Sequence, residues 1–299
     1  MTRFWYFVIA LSLVSFMLST LTWISMPVSQ EEHYIERFTK YDMEEEPQRN
    51  KLESYFFDLG RSESSLFITP TDQVIMVDTG NQDQYEKLLF MLNEMKITEI
   101  DYLFLTTAES DHIGAFPALI EDITVNYVII PKTKIFEELD TTYKDGLLKA
   151  NHVVKVTNNK KLQIEENLSI VSLYTEPLVM IVQFHDIKTL MMSDANFDVE
   201  ESLVKTYGDQ LHAPILKVGN HGQSLTNSEE FLKAVNPQVA VILGGDKEES
   251  GRPYHGVIER LTESWIDVYR NDVKGTILIV TDGKTYKVEE DYQAYSSSP

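Results

Sequence analysis

Short apolar runs alternate with polar, turn-forming residues through most of the chain from residue 54 onward. The runs at 65–68 and 74–77 lie on either side of Pro70, Thr71 and Asp72, and this spacing predicts a β-hairpin. Strands and helices then alternate, as judged from the period of the apolar positions. The predicted elements are strands at 100–104, 127–130 and 153–156 and helices at 83–95, 113–120 and 135–149, the first of these helices opening with a capping box of Asp83 and Glu86.

Short strands dominate the second half of the chain. The predicted strands lie at 168–173, 178–184, 189–193, 215–218, 239–243, 266–269, 276–280 and 284–288, and the predicted helices at 199–207, 228–235 and 255–262. Two strand-rich halves that each carry helices predict an α/β (α+β) fold, a four-layer αββα sandwich in which two sheets pack face to face. A single doubly wound sheet is the alternative, and the hairpins argue against it.

The longest apolar run lies near the N-terminus. Residues 4–26 carry no charged side chain, and about 20 apolar residues suffice to cross a bilayer, so this run predicts a transmembrane helix. A cleavable signal peptide is the alternative, but the run is long and lacks an A-x-A-like cleavage site, which favours an uncleaved anchor. Arg3 precedes the run and acidic residues follow it, which predicts a cytoplasmic N-terminus and an extracytoplasmic remainder.

Four segments follow from these patterns. Residues 1–28 are interpreted as an N-terminal membrane anchor, 29–53 as a polar stalk, 54–290 as the folded domain and 291–299 as a C-terminal tail. We therefore expect a single-pass protein of the cell membrane.

Composition narrows the chemistry. The chain has 299 residues, 43% of them hydrophobic, which is enough for a large core. A net charge of −21 argues against a general nucleic-acid-binding surface, so an anionic substrate needs a local cation such as a metal ion. Because cysteine is absent, a metal site must use imidazole and carboxylate ligands.

A compact polar group follows the predicted strand at 100–104. Glu109, Asp111 and His112 offer two carboxylates and an imidazole on a short loop, which is typical of a metal site. The alternative is that Ser110 and Asp111 only cap the following helix.

Further acidic and imidazole residues stand where other apolar strands end. Asp78 follows the run at 74–77, Asp194 follows the strand at 189–193, and Asn220 and His221 follow the strand at 215–218. Loops at strand ends converge while the sheets hold them rigidly, so we expect these side chains to lie together.

These residues give the chain a resemblance to the metallo-β-lactamase-fold hydrolases, and within them to the domain attached to ComEC-type DNA-uptake proteins. Residues 58–63 are similar to the family's Asp-Val-Gly-Gln-Gly-Asp pattern, and 78–80 match its strand-ending Asp-Thr-Gly. The motif His-x-His-x-Asp-His, often His-x-Asp-x-Asp-His in the ComEC group, is matched in part by 107–112. Residues 216–223 are similar to the block Leu-Lys-Val-x-His-His-Gly-Ser, and the likeness runs from about residue 55 to residue 288.

The resemblance implies a metal centre in which only one of the family's two ligand sets is complete. The family's second-metal ligands are an Asp and a His of the motif, a shared Asp and a late His, which correspond to Asp111, His112, Asp194 and His221. In the first-metal set, Thr107 and Glu109 stand where histidines or an aspartate belong. The resemblance therefore implies one divalent ion, Zn²⁺ or Mn²⁺, rather than two, and Glu109 as an extra oxygen ligand would favour Mn²⁺.

Roles for the other residues come from the same resemblance. Asp111, His112 and Asp194 are expected to take part in catalysis, and Asn220 and His255 to contact the substrate. Two more residues stand outside the ligand set: Asp78 is expected to brace the loops, and His185 is excluded because its hairpin turn lies on the order of 20 Å away at about 3.3 Å per strand residue.

Two functions remain open. The first is a membrane-anchored extracytoplasmic hydrolase that uses a metal-activated water, and the resemblance implies a phosphodiester or another phosphate ester as substrate. The second is a catalytically impaired pseudoenzyme that serves as a surface binding protein or a DNA-uptake-related accessory protein. The replacements at Thr107, Asn220 and Gln223 favour the second function, and the complete second-metal set favours the first. The sequence indicates no particular protein partner.

Overall fold

The computed structural model describes residues 50–244, 251 and 253–290. Its strands are β1 Leu52–Phe56, β2 Ser65–Ile68, β3 Val74–Val77, β4 Glu99–Phe104, β5 Thr124–Pro131, β6 His152–Val156, β7 Lys160–Glu165, β8 Leu168–Thr175, β9 Leu178–Phe184, β10 Ile187–Met191, β11 Ile215–Lys217, β12 Val239–Ile242, β13 Asp267–Arg270, β14 Ile277–Thr281 and β15 Tyr286–Glu289.

Within the same residues, the α-helices are α1 Tyr85–Glu94, α2 Ser110–Ile113, α3 Phe116–Asp122, α4 Lys134–Glu137, α5 Thr141–Lys149, α6 Phe197–Tyr207, α7 Glu229–Val235, α8 His255–Glu263 and α9 Asn271–Lys274. Short 3-10 turns lie at Gln82–Gln84, Gly208–Leu211 and Asn220–Gly222.

The strands form two sheets of mixed direction. The first has the order β15-β14-β1-β2-β3-β4-β5-β6, and the second has the order β13-β12-β11-β10-β9-β8-β7. β2 and β3 form the predicted hairpin, with Ser65 opposite Val77. β3 to β6 run parallel in the first sheet, and β10 to β13 run parallel in the second.

Successive side chains of a strand point to opposite faces of its sheet, and both faces of the first sheet carry apolar residues: Met76 of β3 packs in one core cluster and its neighbour Ile75 in another. Leu88 of α1 and Phe116 of α3 pack on one face of the first sheet. Phe67 and Met180 belong to the core between the two sheets, and Leu203 of α6 packs on the outer face of the second sheet. The layers therefore run helix, sheet, sheet, helix, which confirms the predicted pair of sheets and excludes a single doubly wound sheet.

Two predicted helices are each divided in the structure. The helix predicted at 113–120 is two helices, because Pro117 lies in the first turn of α3, where its missing N–H costs no hydrogen bond. The helix predicted at 135–149 is divided because the Asp140 side chain accepts a hydrogen bond from Thr142 N and starts α5 anew. The predicted capping box is also wrong: Asn81, not Asp83, accepts from the first free N–H, that of Gln82.

Three elements were missed by the pattern. β1 begins at Leu52, inside the segment interpreted as stalk. β7 has only two apolar residues, Leu162 and Ile164, and α9 has only four residues, so both were overlooked.

The predicted transmembrane run at 4–26 lies outside the described residues. Among the helices that the structure does describe, none combines the length and the apolar character that crossing a bilayer requires.

Candidate metal centre

Polar loops from both sheets meet at one place. Because β3 and β4 run parallel, as do β10 and β11, the loops at their carboxyl ends leave the same edge of each sheet. Those loops, together with the β1–β2 connection, carry the polar side chains that meet there, Glu63, Asp78, Asp111, His112, Asp194 and His221.

His112 is completely buried and has a carboxylate at each ring nitrogen. Its Nδ1 lies 2.7 Å from Oδ2 of Asp78, and its Nε2 lies 3.1 Å from Oδ1 of Asp194. Asp78 is itself held by Thr106, whose N–H and hydroxyl donate to its two oxygens at 2.8 and 2.6 Å. Ser193 and Thr106 hydroxyls are 2.6 Å apart, which joins this network to the second sheet.

His221 is held in a similar way on the other side of the centre. Its Nδ1 donates to the carbonyl oxygen of Leu243 at 3.2 Å, and its Nε2 lies 3.1 Å from Oδ2 of Asp111. The ring needs Gly244 at φ +72°, because a Cβ there would lie 2.1 Å from Nδ1. The His112 and His221 ring centroids are 5.8 Å apart.

These contacts fix the protonation of both rings at Nδ1. A carbonyl oxygen and a carboxylate oxygen accept hydrogen bonds, so Nδ1 of each histidine carries a proton whether the ring is neutral or charged. In the neutral ring each Nε2 then presents a lone pair to a carboxylate oxygen, an arrangement that is repulsive unless a proton or a metal ion lies between them. Two imidazole nitrogens and carboxylate oxygens that converge in this way suit a divalent ion.

The close contacts between imidazole rings and carboxylates also shift the pKa values of these groups. Burial acts to lower the pKa of His112, but the carboxylates of Glu63, Asp78 and Asp194 outweigh it and hold that pKa well above its ordinary value. Burial acts to raise the pKa of Asp194, yet His112 holds it far below the usual range. The pKa of Asp111 is also lowered, because a hydrogen bond from His221 and the charge of His112 outweigh its desolvation.

Four residues at the centre have a strained backbone. Asp78, Ser193, Asn220 and His221 all have φ between +46° and +60°, a region that side chains other than glycine seldom adopt. Such strain occurs where the surrounding structure holds functional side chains in place.

The sequence did not single out Glu63 and Lys217. Both are buried, and they form an ion pair with each other. Glu63 Oε2 lies 3.7 Å from His112 Nε2, and Glu63, His112 and His221 offer ligand atoms within 4.8 Å of one another. One feature of the sequence could have revealed this pair. Lys217 lies inside the apolar run Ile-Leu-Lys-Val at 215–218, and a lysine buried in such a strand requires a partner of opposite charge.

Of the other predicted site residues, Glu109 and His255 are exposed, whereas Asn220 adjoins the centre. Glu109 is exposed at the N-cap of α2 and does not belong to the ligand group that the structure assembles. His255 has an 83% exposed side chain that pairs with Glu259 at 3.2 Å. Asn220 adjoins His221 in the 3-10 turn, and its N–H donates to Ser193 O at 2.8 Å. His185 lies in the β9–β10 turn, as expected.

Comparison with known proteins gives a consistent family and fold. A family model described as the metallo-beta-lactamase superfamily matches residues 59–246. ComE operon protein 3 of Bacillus subtilis is 26% identical over 247 residues, which cover 74% of this chain and 32% of that protein. Competence protein ComA of Neisseria gonorrhoeae is 25% identical over 253 residues, which cover 80% of this chain and 34% of that protein.

A solved structure shows the same fold. Tm1679, described as a metal-dependent hydrolase of the beta-lactamase superfamily, superposes with a TM-score of 0.51 at 11% identity, covering 73% of this chain and 95% of that one. The chain spans about a third of the length of the two competence-related proteins.

Proposed function

This chain belongs to the metallo-beta-lactamase superfamily, and from that premise we propose that it is a metal-dependent hydrolase of a phosphodiester or another phosphate ester. One observation carries the proposal: both buried histidines present Nε2 to a carboxylate oxygen, at 3.1 Å in each case. The neutral Nε2 atoms and the carboxylate oxygens all present lone pairs to this point, and a cation there would satisfy them together.

One divalent ion, Zn²⁺ or Mn²⁺, would be held by Asp111, His112, Asp194 and His221. When bound, such an ion supplies Lewis acidity, lowering the pKa of water and polarising a phosphoryl oxygen. Asp78 keeps the proton of His112 on Nδ1 and so directs Nε2 toward the ligand position.

The substrate approaches from the side of the aspartates. The side chains of Asp111 and Asp194 keep 30% and 21% exposure, whereas those of His112 and His221 are buried. Since the chain carries a net charge of −21, an anionic ester depends on the ion for attraction. The choice of a phosphate ester is supported by the likeness to competence-related proteins.

The test is hydrolysis of bis(p-nitrophenyl) phosphate by the purified chain with Mn²⁺ or Zn²⁺. We expect Asp194→Ala to lose turnover by about 100-fold or more, because a ligand is removed. Asp186→Ala, in the exposed β9–β10 turn, is the matched control and should keep full turnover. Turnover that survives Asp194→Ala would exclude this centre as the source of activity.

A binding protein without catalysis is the second candidate. Two observations favour it: Glu109 is exposed, and Glu63 is paired with Lys217. Neither carboxylate then completes a second set of metal ligands, so one ligand set is left. Metal bound at one ion per chain, with no turnover of any phosphate ester tried, would support this candidate over the hydrolase.

We also propose that residues 1–28 anchor the chain, with the folded domain outside the membrane. Protease added to intact cells should then remove the folded domain. The full chain should remain in the membrane fraction after extraction with alkaline carbonate. An N-terminally trimmed chain in the medium contradicts the anchor.

A further inference from the structure

A buried lysine adjoins the candidate metal centre. Lys217 ends strand β11 of the second sheet and is 2% exposed, and Glu63 lies in the β1–β2 connection of the first sheet and is 3% exposed. The ammonium and the carboxylate form an ion pair that joins the two sheets.

Glu63 is placed as a metal ligand would be. Its Oε2 lies 3.7 Å from Nε2 of His112, and its Oε1 lies 3.3 Å from Nδ1 of His221. Within the described part of the chain, the buried Oε1 has no hydrogen-bond partner. A free carboxylate in this position would enter the coordination sphere of an ion held by the two histidines.

Lys217 competes for that carboxylate. The oxygen of Glu63 that faces His112 is the same oxygen that accepts from Lys217 Nζ. An ion that used this oxygen would lie beside the ammonium in a buried region, where two positive charges repel strongly. The ion pair and coordination by Glu63 are therefore alternatives.

Stability alone does not account for this pair. A buried ion pair is often no more stabilising than apolar side chains of similar volume. Ile215, two residues earlier on β11, packs in the apolar core between the sheets, so an apolar side chain is compatible with this face of the strand.

We propose that Lys217 is a positioning residue: it neutralises Glu63 and holds it out of the coordination sphere, so that the centre takes one divalent ion on Asp111, His112, Asp194 and His221. The inference rests on the proposed metal-dependent function and adds what determines which carboxylates bind the ion.

Titration of the full-length chain with Mn²⁺, in which the electron paramagnetic resonance signal of free Mn²⁺ is followed, tests the proposal. Lys217→Met should bind Mn²⁺ at least about 10-fold more tightly than the native chain, because Glu63 becomes a ligand and a nearby positive charge is gone. A merely structural lysine predicts weaker binding instead. Equal or weaker binding by a folded Lys217→Met chain, checked by circular dichroism, overturns the proposal.

The double variant Lys217→Met with Glu63→Gln covers the case in which the single variant does not fold, since it leaves no unpaired buried charge. Its Kd for Mn²⁺ should stay within about 3-fold of the native value, because neither side chain is a ligand. A loss of about 10-fold or more would show that Glu63 coordinates the ion and would overturn the proposal.

Failure of the proposed metal-dependent function would give a different result from failure of the inference about Lys217. If the native chain binds no Mn²⁺, the metal-dependent function is wrong, and tight binding by Lys217→Met would still support the role of Lys217. If the native chain binds one Mn²⁺ and hydrolyses the ester while Lys217→Met binds no more tightly, only the inference about Lys217 is wrong.

Discussion

At the residue scale, the centre depends on which nitrogen of each histidine carries the proton. Asp78 and the carbonyl of Leu243 both accept from Nδ1, so the two Nε2 atoms point to the same place. Groups that orient a metal-binding imidazole affect metal affinity even though they do not contact the ion.

Asp78→Asn tests this dependence. Asp78 accepts from His112 Nδ1 and from the N–H and hydroxyl of Thr106, so an amide must turn a donor toward one of these donors. We expect Mn²⁺ affinity to fall by about 10- to 100-fold. Asp101→Asn is the matched control, because the Asp101 carboxylate accepts from Val74 N and an amide oxygen can replace it. Equal affinity of the two variants contradicts the orienting role.

The raised pKa of His112 predicts how pH affects metal binding. Its neighbouring carboxylates keep a proton on the metal-free ring above the ordinary pKa of about 6.5, and an ion must displace that proton. Metal affinity should therefore rise with pH until the raised pKa of His112 is passed. Calorimetry in buffers of different ionisation enthalpy should detect about one proton released per ion near neutral pH. Binding without proton release would show that His112 is not a ligand.

The same pKa shift has a consequence for the metal-free fold. Because the folded pKa of His112 lies above the unfolded value, its contribution to stability is fully present below about pH 6.5 and is lost as pH rises through the folded pKa. The lowered pKa values of Asp111 and Asp194 act in the opposite direction, and their contribution is lost in acid.

At the element scale, each proposed ligand lies shortly after a strand: Asp111 and His112 in helix α2, His221 in a 3-10 turn and Asp194 in the turn before α6. A helix cap holds the turn that carries Asp194. Asp194 is followed by Asn196, whose side chain accepts from the N–H groups of Asp198 and Val199 at the start of α6. The strand end and the helix start therefore both limit the position of Asp194.

Asn196→Ala should lower the free energy of unfolding by about 1 kcal/mol, because two N–H groups of α6 lose their acceptor. For a domain of this size the melting temperature should fall by roughly 2–4 °C. Asn196→Asp keeps the cap and should melt close to the native temperature. If both variants melt at the native temperature, the cap contributes nothing.

Prediction from sequence at this scale was best where one face of an element is buried. The strands β2 to β5 and the helix α8 lie close to their predicted positions. β7 was missed although Leu162 and Ile164 alternate with polar residues, because two apolar positions are few to mark a strand and its side chains are exposed or half-buried.

At the scale of the whole molecule, the centre joins the two sheets. The Ser193–Thr106 hydrogen bond and the Lys217–Glu63 ion pair both cross from one sheet to the other. A metal ion bound by Asp111 and His112 of one sheet and Asp194 and His221 of the other would add a further connection. Metal binding is therefore expected to stabilise the fold as well as the site.

Metal removal tests that coupling. At a free Mn²⁺ concentration of 100 times Kd, binding adds about 2.7 kcal/mol to the stability of the folded chain. Chelation should accordingly lower the melting temperature by roughly 5–10 °C. Asp194→Ala should melt at nearly the same temperature with and without chelator. A chelator effect of equal size in the native chain and in Asp194→Ala would place the stabilising ion elsewhere.

The sequence by itself determined the secondary structure in outline, the two-sheet architecture and the family. Each depends on local periodicity or on the order of short motifs, and both are properties of the linear chain. It also pointed to Asp111, His112, Asp194 and His221, because polar residues at strand ends are visible in the sequence. Their role as ligands stays a prediction, whereas the structure shows the contacts His112–Asp194 and His221–Asp111.

Only the tertiary structure decided which side chains meet. Glu109 lies two residues from Asp111 yet faces solvent, whereas Glu63 and Lys217, separated by 154 positions, form a buried pair. Distances of this kind depend on how two sheets pack, and sequence spacing carries no information about them. The proton positions on the histidines were decided in the same way, because their acceptors, Asp78 and Leu243, come from distant strands.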